Sequence, residues 1–131
     1  MITQAHRNSH ILTVKKGVKL FLISDLHWDN PKCDRKTLKR HLDYAVSQNA
    51  VIVINGDLLC LMQGRFDFRS NKKDIRPEHN KSNYLDAVIE DAVEWFGPYA
   101  NHLQLIGYGN HETNILKRLE TDPLRRFVDL F

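Results

Sequence analysis

The sequence has little of what marks a secreted, disulfide-stapled or membrane-spanning protein. It holds two cysteines, Cys33 and Cys60, far apart and without Cys-x-x-Cys spacing. That usage fits reduced thiols in a cytoplasmic protein rather than a disulfide framework. No run of about 18 apolar residues occurs, which excludes an ordinary membrane-spanning helix. The first ten residues are polar, carry no apolar core of a secretory signal, and read as a flexible start that includes His6 and His10. Internal repeats and low-complexity stretches are lacking too. The formal net charge is only +3, so composition alone does not mark a nucleic-acid binder.

What is there suits one compact domain over residues 1–131, with 42% hydrophobic and 27% charged residues. Residues 11–24 read as two extended segments meeting near Lys16-Gly17, the stronger being Val18 to Ile23. Asp34 is placed to cap a helix in which Leu38, Leu42, Ala45 and Val46 share one face. Ala50 to Ile54 is apolar throughout, as in a strand covered on both faces of a parallel sheet. From Leu61 to about Asn80 periodicity gives way to charge, which predicts a long loop. Leu85, Val88, Ile89, Ala92, Val93 and Phe96 then outline an amphipathic helix that Gly97-Pro98 stops. Leu103 to Tyr108 is a third strand, and a last helix is expected from about Thr113 to Leu119. Strand and helix alternate, so the fold class is layered α/β with a mainly parallel central sheet. Such sheets hold ligands beyond the carboxyl ends of their strands.

Three polar clusters stand at those ends: Asp25-Leu26-His27, Gly56-Asp57 and Gly109-Asn110-His111-Glu112. Each has an ordinary alternative: a helix cap, a plain turn, a Gly-Asn turn pair. The i, i+2 spacing of Asp25 and His27 on an extended segment puts both side chains on one side. Gly56 allows a sharp turn that lets Asp57 reach inward, and one carboxylate can bridge two metals. Asn110 is a neutral oxygen ligand beside the titratable His111. Taken together, oxygen and imidazole donors suit a hard to borderline divalent cation, and such sites commonly activate water against phosphate esters.

In these three motifs, in this order, the chain resembles the calcineurin-like metallophosphoesterases over residues 21–112 or so. The resemblance implies half of a metallophosphoesterase β-sandwich and a hydrolase using metal-activated water on phosphate mono- or diesters, nucleic acid among the candidate substrates. It implies that Asp25 and His27 bind a first metal, Asp57 bridges, and Asn110 binds a second, the ions being Mn, Fe, Zn or Ni. His111 becomes the catalytic residue, near the leaving group as acid or charge stabiliser. Two departures stand out. Cys60 occupies a position where the family often has Asp, and no histidine follows His111, so the later His and the Gly-His-x-His pair are missing. The tail Phe127 to Phe131 is apolar and calls for further structure to bury it. The chain therefore reads as an amino-terminal half that awaits a completing carboxyl-terminal segment or partner, or as a naturally short protein.

Substrate contacts have two readings each. Trp28 either lines the cleft or packs over the following helix. Arg65 and Arg69, in a loop with Phe66 and Phe68, either grip phosphates or belong to a solvated loop whose charges partly cancel. His79 is the one further histidine offered as a substitute ligand, while His41 reads as solvated and His102 as a loop residue. A catalytically incomplete module for metal binding or assembly is the alternative to the enzyme. A receiver-like Mg-binding domain ranks third, since it needs neither His27, Asn110 nor His111.

Overall fold

The computed structural model describes residues 2–7, 9–61, 76–79, 83–109 and 122–130. Its centre is a three-stranded parallel sheet of β3 (Leu20–Ile23), β4 (Val51–Asn55) and β5 (Leu103–Gly107), in that spatial order. Between the strands run α1 (Arg35–Ser47) and α2 (Tyr84–Phe96), and α3 (Pro123–Leu130) follows the last of them. The protein is mixed α/β, with a parallel sheet flanked by helices.

Local chemistry explains the elements. At the start of α1, the Asp34 carboxylate accepts from the Thr37 amide at 3.0 Å and the Thr37 hydroxyl at 2.7 Å, filling an orphan donor of the first turn. Asn49, with a positive φ of 49°, ends that helix and turns the chain into β4. Leu38, Leu42 and Ala45 are buried, as the helical spacing predicts. Val88, Ile89, Ala92 and Phe96 of α2 meet them in one core with Ile52 and Ile54 of β4. A short 3-10 turn, Gly97–Tyr99, closes α2.

Register decides what the sheet buries. Leu20 pairs Val51, Phe21 pairs Ile52, Leu22 pairs Val53 and Ile23 pairs Ile54. Paired residues share a face, so Phe21, Ile23, Ile52 and Ile54 look into the helices. Leu20 and Leu22 point the other way and are 50% and 68% exposed. The apolar run of β4 was expected to be covered on both faces. Among the described residues one face is covered, because the strand order steps steadily in one direction and the connecting helices share one core.

Two ends of the chain also differ from expectation. The polar start is an antiparallel hairpin of β1 (Ile2–His6) and β2 (Ser9–Leu12), pairing Ile2 with Leu12 and Gln4 with His10. Backbone pairing carries it, and its side chains are nearly all exposed, which is why no hydrophobic pattern announces it. The apolar tail is the amphipathic helix α3. Leu124 and Phe127 are buried, with the Phe127 ring edge-on to Phe96 at 5.9 Å, and Arg126 pairs with Asp86 of α2. Val128 and Leu130 remain exposed. The helix expected at 113–119 lies outside the described residues. No described helix is long and apolar enough to cross a membrane.

Candidate metal centre

Beyond Ile23 and Asn55, the loops leaving β3 and β4 stay side by side. The Asp25 amide donates to the Gly56 carbonyl and the His27 amide to the Asp57 carbonyl, both at 3.1 Å, and Trp28 donates to Leu58 at 2.9 Å. Asp25, His27 and Asp57 all have positive φ, at 54°, 45° and 52°. For residues with a Cβ each such conformation costs of order 1–3 kcal/mol and persists only where surrounding bonds fix it. The cross-loop hydrogen bonds do that here. Asp25 and His27 thus meet through two left-handed kinks, not through the side-chain alternation of an extended strand.

The outcome is a tight donor set. One oxygen of Asp25, one nitrogen of His27 and one oxygen of Asp57 all lie within 4.8 Å of one another. Asp25 is exposed and the other two are half-buried, so solvent reaches the group. Two carboxylates and an imidazole fit the preferences of a hard to borderline divalent cation. Gly109, at the end of β5, lies against this group. A Cβ there would overlap the Asp57 amide and carboxylate, so only glycine lets the two segments approach so closely. Gly56, at φ 84°, packs less tightly against the same segment, where a Cβ would stand 3.2 Å from the Tyr108 carbonyl oxygen.

Asn110 and His111, read from the sequence as ligand and catalytic residue, lie outside the described residues, as do Arg65 and Arg69. Trp28 is fully buried. Its ring packs 6.1 Å from Trp95 and 6.0 Å from Phe96, and Arg35 stacks 3.7 Å over it. It therefore sits in the core under α1 and α2, away from any open cleft.

Asp29 was missed in the sequence. It is 2% exposed, and its carboxylate accepts from the amides of Cys60 and Leu61 and from the Tyr84 hydroxyl at 3.3 Å. It holds the loop after Asp57 in place, including Leu61 at a positive φ of 49°. Its one visible signal was an acid two residues beyond His27. Cys60 is buried, and the Asn30 side-chain amide donates to its sulfur at 3.5 Å. Burial pushes the Cys33 thiol above its ordinary range.

Compared with models of known protein families, with curated proteins and with solved structures, the chain finds no match.

His79 belongs to a second cluster. It is 1% exposed, its Nε2 lies 2.7 Å from Asp91, and a Glu78 oxygen falls within the same 4.8 Å radius. Arg35 approaches Glu78 at 3.9 Å. Around the group, Trp28 Nε1, Arg35 Nη2, Arg76 Nε and His79 Nδ1 are buried without a hydrogen-bond partner among the described residues. Three of those four can only donate. Acceptors are also at hand: Glu90 and Glu94 join Glu78, His79 and Asp91 in lining a cleft of about 290 Å³.

Beside the first cluster opens a cleft of about 640 Å³. Asp25 and His27 stand on its wall, with Ile23, Leu26 and Leu38 forming apolar surface and Lys32 and His41 among its polar lining.

Proposed function

We propose that the chain is a metal-dependent phosphoesterase of the calcineurin-like metallophosphoesterase type, hydrolysing phosphate mono- or diesters, with nucleic acid among its substrates. Its three-stranded sheet and helices then form one half of that family's β-sandwich. The observation that carries this reading is the convergence of Asp25, His27 and Asp57, from two different loops, within 4.8 Å at the carboxyl edge of a parallel sheet. Their placement in strained backbone supports it, since such strain collects at functional sites.

When bound there, a divalent cation supplies Lewis acidity toward a phosphate oxygen and toward water. Asp25 and His27 would hold such an ion from the β3 loop, and Asp57 would hold it from the β4 loop and share its carboxylate with a second. Gly109, the first residue of the Gly-Asn-His-Glu motif, lies tight against Asp57. With three protein donors among the described residues, Mn, Fe, Zn or Ni is held weakly, because few bonds offset the cost of ordering the group.

Asp57→Asn tests the reading. The asparagine keeps the shape and loses the charge, so calorimetric Mn titration should show binding abolished while the unfolding midpoint moves little. Mn affinity that survives unchanged would show that Asp57 takes no part in holding the ion.

One observation favours a second reading, a non-catalytic module for metal binding or assembly. Among the described residues Leu20 and Leu22 are exposed on one face of the sheet, which suits an element that docks on another. Turnover of bis-p-nitrophenyl phosphate by the Mn-loaded chain separates the two. Hydrolysis that disappears in Asp57→Asn establishes the enzyme, and its absence beside intact Mn binding favours the module.

A further inference from the structure

We infer that the cleft beside Asp25 and His27 seats the organic group of the phosphate ester, and that the preferred substrate is of nucleoside size rather than a small alkyl phosphate. The inference rests on the phosphoesterase reading and adds the substrate class. Three features of the cleft carry it.

Size comes first. A volume of about 640 Å³ lies within the range of pockets that enclose drug-sized ligands, roughly 300–1,000 Å³, and far exceeds what a bare phosphate fills. Position comes second. The same Asp25 and His27 that offer donor atoms to a cation also line this cleft, so an ester whose phosphate meets the cation extends its organic part along it. Composition comes third. Ile23, Leu26 and Leu38 give an apolar bed for a ring, while Lys32 and His41, both exposed, offer polar groups at its side. Asp34 also lines the cleft, but its carboxylate is committed to the Thr37 amide and hydroxyl.

The wall is also held in shape before any ligand arrives. Between His27 and Cys33 the chain is a tight succession of turns. The Asn30 amide donates to the His27 carbonyl at 2.9 Å, the Lys32 amide to the Asn30 side chain at 2.8 Å, and the Cys33 amide to the Asn30 carbonyl at 3.0 Å. Arg76 then anchors the far end by donating to the Cys33 carbonyl at 3.2 Å. A preformed wall lowers the ordering cost of binding.

The test uses the Mn-saturated full chain and two probes, adenosine 5′-monophosphate and methyl phosphate, titrated calorimetrically. The nucleotide should bind on the order of tenfold more tightly than methyl phosphate. His41→Trp, which crowds the cleft from an exposed helix position, and Lys32→Ala should each remove most of that preference. Both should leave Mn and methyl phosphate affinities within about a factor of two, since neither residue belongs to the donor set. Equal affinity for the two probes, or a preference that survives both variants, overturns the inference while the phosphoesterase reading stands. Failure of the unaltered chain to bind Mn, or to bind either phosphate probe, overturns both.

Discussion

Two clusters in this molecule have the same ingredients, two carboxylates and one imidazole, and are built on different backbone. Asp25 and His27 line an open cleft, and both share with Asp57 a backbone bent into left-handed conformations. Glu78, His79 and Asp91 line a smaller cleft in which only the imidazole is buried, with Arg35 reaching Glu78 and buried donors nearby. Residue type alone does not distinguish a cation site from a structural tie. The ties each group makes and the backbone that carries it do: His79 lies 2.7 Å from Asp91, and Glu78 meets Arg35 at 3.9 Å. The second cluster is thus tied within itself and to Arg35, and the first is set apart by the left-handed backbone that brings its three donors together from two loops.

The largest effect is expected from breaking what shapes the first cluster. Gly109→Ala puts a methyl group where the Asp57 amide and carboxylate already lie. Relief requires the end of β5 or the Asp57 loop to shift, at a cost of roughly 1–3 kcal/mol. The urea midpoint should fall accordingly, and Mn affinity should fall with it because Asp57 is displaced. An unchanged midpoint with unchanged Mn affinity would mean that the two segments do not rest on each other.

That dependence on Gly109 also marks what could be seen in the sequence. The order of strands and helices was legible because core-facing residues such as Leu38, Leu42, Val88 and Ile89 recur at helical spacing. Asp34 was legible as a cap because a carboxylate three residues before Thr37 has a local job. Asp25, His27 and Asp57 were legible as a group because each follows an apolar strand. The reason they converge was not, since it lies in positive φ angles and cross-loop hydrogen bonds that no periodicity encodes. Asp29 and the core position of Trp28 were hidden for a related reason. Both depend on segments distant in sequence, Cys60-Leu61 for the one and Trp95-Phe96 for the other. Hairpin β1–β2 escaped notice because backbone pairing without a buried face leaves no pattern.

The second cluster gives the next largest effect, of a different kind. Asp91→Asn removes the charge facing the buried His79. Asp91 is itself partly open to water, so the loss should be about 1 kcal/mol, less than a fully buried charged hydrogen bond contributes. Thermal unfolding should register it, while Mn stoichiometry and affinity stay as they were. A drop in the number of Mn ions bound would show that the two clusters are alike after all.

The smallest effect sharpens the comparison through pH. Tyr84 links the two regions, because it sits at the start of α2 and donates to Asp29, which in turn holds the loop after Asp57. Burial, and then the negative charge of Asp29, push the Tyr84 phenol far above its ordinary value of 10.0. A folded-state pKa raised above the unfolded one means stability that is fully present below about pH 10 and is lost as pH climbs beyond it. At pH 8 Tyr84→Phe should cost roughly 1 kcal/mol, one hydrogen bond to a carboxylate that keeps its other donors. Above pH 10 the unfolded wild-type chain gains a phenolate that the folded chain resists, so the wild-type advantage should shrink. Melting temperatures of both proteins at pH 8 and pH 11 measure this directly. A gap that stays constant between the two would show that the Tyr84 hydroxyl is not buried against Asp29, and that the loop after Asp57 is braced by something else.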